Sequence, residues 1–194
     1  MKNQTTTLFG NKETAAPSNH TQDRAANTLS LKKTVLGGML VALTVALSGF
    51  SVPIGASRCF PVQHFINVIA GVFLGPLYGV CMAFCTSLIR NLMGTGSLMA
   101  FPGSMVGAFL GAFLFQKTGR FVLAYLGEVV GTGIIGALLC YPIAVFLMGK
   151  EIALFFYVVP FLTSTVCGTA MAVVLLEILR RSPLFSHLHR MIQN

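Results

Sequence analysis

Between residues 31 and 179 the chain is almost continuously apolar, and that constrains it more than any motif does. A soluble domain carries about 25% charged residues. Here only 9% of the 194 residues are charged and 55% are hydrophobic, and the mean hydropathy is +0.79. A helix crosses a bilayer with about 20 apolar residues, so about six short spans fit into this stretch. The sequence predicts an all-α membrane protein of about six transmembrane helices.

Turns, prolines and charges mark the expected boundaries. Residues 1–28 are polar, rich in Thr, Asn and Gln, and hold no apolar run long enough for a signal peptide; they read as a disordered cytosolic tail. The membrane domain covers 29–181 and a short cytosolic tail covers 182–194. Within the domain the spans are expected at 31–52, 65–74, 77–92, a fourth ending near 115, 121–147 and 152–179. Pro53, Gly55 and Pro61 mark a loop after the first span, and Pro142 is expected to kink or end the fifth. The second span, at about 10 residues, is too short to cross ~30 Å alone. Of the 13 Lys and Arg residues, only Arg58, Arg90 and Lys150 fall on the side opposite the N-terminus. The positive-inside rule therefore puts both termini in the cytosol.

Ionisable groups are costly in hydrocarbon, by roughly 2.5–3.5 kcal/mol on insertion scales, so those inside the spans read by default as a site. Glu128 stands about seven residues into the fifth span, roughly 10 Å from its inner end. Tyr125 and Thr132 share its general face. Arg90 and Asn91 fall near the outer end of the third span. His64 and Asn67 approach the second span from the same side and share a helical face if helical. The Gly-rich segment GTGSLMAFPGS at 94–104 interrupts the apolar pattern. Irregular backbone at membrane depth is tolerated where it lines a cavity or is buried in protein. Together these residues predict one outward-facing polar pocket. For Arg90 a reach to the outer headgroups stays open, for His64 an ordinary loop position, and for Glu128 a purely structural hydrogen bond.

Other classes are excluded or weakened. The cations lie at span ends rather than in a basic stripe with aromatics, which argues against nucleic acid. The five Cys form no CxxC pair, and Cys81 and Cys85 lack the further ligands of a zinc site, so no metal is expected. No GxSxG, HExxH or phosphate loop is present, and the chain holds no nucleotide-binding domain. Small residues recur at a spacing of four: Gly38, Ala42 and Ala46 in the first span, Gly103, Gly107 and Gly111 in the fourth, Gly127 and Gly131 in the fifth. Such faces let helices approach closely in lipid. Internal packing fits the fourth and fifth; the first-span face fits internal packing or a partner equally well.

The run NVIAGVFLGPLYGVCMAFCTSLIRNLMGTGSLMAFPGSMVGAFLGAF, with PVQHFIN before it and GEVVGTGIIGALLCYP after it, resembles the ThiW family. The resemblance covers about 31–179 and is most specific over 67–111. It implies the six-helix fold of a substrate-binding S component of an energy-coupling-factor transporter in a prokaryotic plasma membrane. The substrate it implies is a thiamin precursor, hydroxyethylthiazole. The implied partners are a transmembrane coupling subunit and two ABC-type ATPases, which use the ATP; the chain itself carries no cofactor and is not an enzyme. Ala42 and Ala46 stand where the family's AxxxA docking motif is expected. The family's site lies toward the outer side, which points to His64, Arg90, Asn91, Glu128 and Thr132. Hydroxyethylthiazole offers a ring nitrogen and a hydroxyl. An Asn, His or Arg can donate to the nitrogen, Glu128 can accept from the hydroxyl, and Phe or Tyr faces can stack on the ring. Thiamin or its pyrimidine moiety, a membrane-embedded enzyme using Glu128 and His64, proton-coupled carriage, and an assembly role remain the alternatives.

Overall fold

The computed structural model describes residues 19–54, 57–183, 185, 187, 191 and 192. Six helices carry the fold. α1 (Asn19–Ala46) continues into a 3-10 turn at Leu47–Gly49. A two-stranded hairpin follows, β1 (Val52–Ile54) antiparallel to β2 (Ser57–Cys59), with Val52 opposite Cys59. Then come α2 (Pro61–Leu74), α3 (Pro76–Leu92), α4 (Ala100–Thr118), α5 (Phe121–Leu147) and α6 (Val158–Arg181). By length and composition, 27–49 of α1 with its 3-10 turn, α5 and α6 can each cross a membrane.

Local chemistry sets the ends. Pro61 and Pro76 occupy the first turns of α2 and α3, where a missing N–H costs nothing. Gly75, at φ 85°, makes the tight link between them. Gly119, at φ 66°, closes α4 in a left-handed cap, its N–H on the Phe115 carbonyl. Several boundaries differ from the sequence reading. α1 is already helical at Asn19, within the tail expected at 1–28; residues 1–18 lie outside the described ones. The loop after α1 is ordered as a hairpin, and α2 starts at Pro61 rather than at 65. Residues 100–104 of the Gly-rich segment are the first turn of α4. α6 starts at Val158, not at 152. In the segment 182–194, the Phe185 ring packs at a tilt against Phe73 and Phe121 at ring-centroid distances of 5.6 and 5.7 Å, and Ile192 is buried.

The two ends of the bundle are chemically distinct. At one end Ser30 meets Tyr78 at 3.1 Å, and Lys32 donates to the Met191 carbonyl at 3.1 Å. At the other, Ser48 meets Thr95 at 3.4 Å, near the hairpin. Lys33, the α2–α3 turn, Gly119 and Phe185 enclose a cleft at the first end. The cation bias makes this the inner end.

The bundle is polar inside and apolar outside. Thr86, Ser87, Arg90, Ser104, Glu128, Thr132 and Thr165 are buried, whereas Val35, Met39, Phe84, Leu126, Ile134, Val166 and Val174 are exposed. In water so large an apolar exterior is untenable; against lipid it is the stable arrangement. α2 is buried along nearly all its length and packs on α1, α3, α4, α5 and α6. Its 14 residues reach only about 21 Å at 1.5 Å each. The missing height lies at the outer end, under the hairpin.

α4 and α5 touch backbone to backbone. A Cβ on Gly127 would lie 2.6 Å from Gly111 Cα, one on Gly131 2.7 Å from Gly107 Cα, and one on Gly136 2.6 Å from Gly103 Cα. The α4 glycines are spaced four and four; those of α5 are spaced four and five. A π-helical turn over Gly131–Gly136 takes up the fifth residue, which keeps all three pairs in register. Pro142 does not end the helix: a second π-helical segment, Ile143–Leu147, follows it.

Candidate functional site

The glycine contacts set the position of Glu128. It projects from α5 toward α2, and its side chain is 1% exposed. Oε1 accepts from His64 Nδ1 at 2.9 Å, Asn67 Nδ2 at 3.2 Å and Thr132 Oγ1 at 3.2 Å. His64 and Asn67 lie one turn apart on α2, and Thr132 lies one turn beyond Glu128. Oε2 and Asn67 Oδ1 are buried and have no hydrogen-bond partner among the described residues. Gly107 makes room for the carboxylate, since a Cβ there would lie 2.8 Å from Oε2. Gly168 of α6 does the same for α2: its Cβ would lie 2.8 Å from His64 Cβ.

A second polar chain runs from the outer end to this cluster. Arg90 is 1% exposed, with its guanidinium held inside the protein. Its Nη1 donates to Gln63 Oε1, its Nη2 to the Thr95 carbonyl at 3.2 Å, and its guanidinium lies 3.9 Å from the Phe60 ring centroid. Gln63 Nε2 donates to Ser87 Oγ at 3.3 Å, Ser87 and Ser104 share a hydrogen bond at 3.2 Å, and the Ser104 carbonyl accepts from Asn67 at 3.4 Å. Arg90 thus ties α3 to α2, to the 93–99 turn and to the residue after the hairpin. Asn91 donates to the carbonyls of Ser87 at 2.8 Å and Ser97 at 3.0 Å, so it fastens the turn. Tyr125 packs against the apolar core that includes Phe73 and Leu176, away from the Glu128 cluster.

Two cavities open at the outer end. The inner one, about 60 Å³, has walls that include Phe60, Gln63, His64, Ser104, Phe161 and Ser164. Glu128 is not in its wall; it lies behind His64. The outer cleft, about 360 Å³, is lined by Arg58, Phe60, residues 94–97, Met99, Met148, Lys150 and Tyr157. The two share Arg58, Phe60, Ser97, Met99 and Tyr157. The hairpin is fastened over them: Phe60 N donates to Ser164 Oγ at 2.8 Å, and Cys59 Sγ to the Pro160 carbonyl at 3.2 Å. Burial pushes the Cys59 thiol and the Tyr157 phenol above their usual values.

Sequence reasoning did not single out Phe60, Gln63, Ser104, Tyr157, Phe161 or Ser164 for the pocket. Gln63 and Ser104 had a local signal, lying beside His64 and inside the Gly-rich segment. The aromatics had none, because Phe is abundant throughout. No cluster of three metal-ligating side chains occurs among the described residues.

Gly38, Ala42 and Ala46 are all exposed, and a Cβ on Gly38 would meet nothing within 4 Å. That face of α1 is open, with Val35, Met39 and Leu43 exposed beside it.

No curated protein and no solved structure matches the chain. Its apolar exterior and buried polar cluster fit a membrane protein that handles a small molecule. The family model described as thiamine-precursor transporter protein (ThiW) matches residues 34–182, which is most of the chain, and the protein belongs to that family of transporters.

Proposed function

We propose that this chain is the substrate-capture S component of an energy-coupling-factor transporter in a prokaryotic plasma membrane, and that its ligand is hydroxyethylthiazole. The carrying observation is His64, which lines the inner cavity while Glu128 holds its Nδ1 from behind. With Nδ1 taken up by Glu128, the other ring nitrogen, Nε2, is left for the ligand: it pairs with the thiazole nitrogen when it carries a proton and with the hydroxyl when it does not. Phe60 and Phe161 supply apolar faces for the ring. The hydroxyethyl arm extends past Ser97, which lines both cavities.

Ligand pockets usually measure about 300–1,000 Å³, so the inner cavity alone is tight. Rotation of the shared Phe60, Met99 and Tyr157 side chains joins it to the outer cleft and brings the volume into that range. The role this reading gives the chain is binding, in keeping with a family of transporters.

Transport then requires partners: a transmembrane coupling subunit and two ABC-type ATPases, which use the ATP. The open face of Gly38, Ala42 and Ala46 supports docking there, because helix association in lipid depends on close packing.

Calorimetry on the purified protein tests the ligand. Hydroxyethylthiazole should bind without ATP. No heat from it, alongside clear binding of thiamin or its pyrimidine moiety, would overturn the assignment.

A further inference from the structure

The outer end of this protein is poor in cations, with only Arg58, Arg90 and Lys150 assigned to it. All three converge on one depression. Arg58 and Lys150 are exposed in the wall of the outer cleft. Arg90 is buried behind it, with Nη2 on the carbonyl of Thr95, another wall residue. Among the described residues no carboxylate lines the cleft; Glu151, next to Lys150, is exposed but is not part of the wall. Neither Arg58 nor Lys150 forms an ion pair with a carboxylate among the described residues.

Cations that only anchor a protein to headgroups have no reason to gather at the mouth of a ligand cavity. A concave site with low-dielectric walls and charge of one sign concentrates its field and draws in the opposite charge. Arg90 strengthens that field, because a buried charge is screened less than an exposed one.

We propose that the outer cleft is a phosphate subsite, and that the protein binds the phosphate monoester of the thiazole alcohol in preference to the free alcohol. The inference rests on the reading of the inner cavity as the thiazole site. The ring occupies the inner cavity, the two-carbon arm passes between Phe60 and Tyr157, and the phosphate meets Arg58 and Lys150.

Calorimetry with hydroxyethylthiazole and with its phosphate, in a phospholipid-free neutral detergent, gives the ratio of the two affinities. Exposed ion pairs are individually weak, so two of them should favour the phosphate by about five- to tenfold at low salt. The ratio should shrink as salt is added; it should fall to about two- to threefold in Lys150→Gln and in Arg58→Gln alone, and close to one in the double variant. The free alcohol is titrated into the same preparations, so that loss of fold is seen separately. Repeating the measurement in phosphatidylcholine nanodiscs addresses lipid headgroups, the other source of phosphate. A preference lost in nanodiscs means that headgroups hold these cations, and the proposal fails. It fails as well if the free alcohol binds wild type and the phosphate binds no tighter. If neither compound binds wild type, the thiazole reading itself falls and takes the subsite with it.

Discussion

Glu128 touches three donors but not the cavity, so its effect on a ligand should pass through His64. Glu128→Gln keeps a carbonyl oxygen for His64 and Asn67 but removes the charge. Hydrogen bonds to a charged group contribute about 1.5–3 kcal/mol and neutral ones about 0.5–1.5. The His64 contact, the shortest at 2.9 Å, should therefore lose about 1–1.5 kcal/mol. The imidazole is then held less firmly, and ligand affinity should drop about fivefold to tenfold. His64→Gln should cost about as much or more, since it removes the ligand-facing ring nitrogen. The informative measurement is the double variant. Once His64 is gone, Glu128→Gln has nothing left to position, so the double variant should bind within about 0.5 kcal/mol of His64→Gln alone. Calorimetry on the four proteins, each checked by thermal unfolding in detergent, reads this directly. Additive losses would refute the reasoning, because they would mean that Glu128 reaches the ligand independently of His64.

Two further substitutions test the scaffold and the docking face. Gly107→Ala places a methyl group into Thr132 Oγ1 and 2.8 Å from Glu128 Oε2; it should lower stability by about 1–3 kcal/mol and weaken ligand binding, seen as a lower unfolding temperature and a higher Kd. Ala42→Leu with Ala46→Leu adds bulk to an exposed face only, so the purified protein should keep its affinity, while co-purification with the coupling subunit and cellular uptake should be lost; normal uptake would place the docking face elsewhere.

Much of the fold is legible in the sequence because bilayer physics leaves few options. Apolar runs and turn glycines suffice to count the helices. What depends on tertiary contact is harder to read. The start of α2 at Pro61 shows this: residues 61–64 look like loop, since Gln63 and His64 are polar, yet both find partners on α3 and α5 that only the packed bundle supplies. The π turn in α5 is a similar case. Its trace in the sequence is the five-residue step from Gly131 to Gly136, which has meaning only against the four-residue steps of α4.

The polar residues of the site divide along the same line. A buried carboxylate is a strong signal because its cost demands partners, and Glu128 does gather His64, Asn67 and Thr132. The signal locates the charge but not the ligand. Arg90 carries the same kind of signal, yet its two Nη groups go to Gln63 and Thr95 and its guanidinium lies over the Phe60 ring, contacts that fix the turn and the hairpin, while Nε is left without a partner among the described residues. Tyr125 shares a general face with Glu128 in sequence, but one turn toward the inner end takes it into the apolar core. Groups in contact with a ligand need not be costly to bury, and Phe60, Tyr157 and Phe161 are not. In a chain whose lipid-facing surface is also made of large apolar side chains, only the fold distinguishes an aromatic that lines the cavity from one that faces the bilayer.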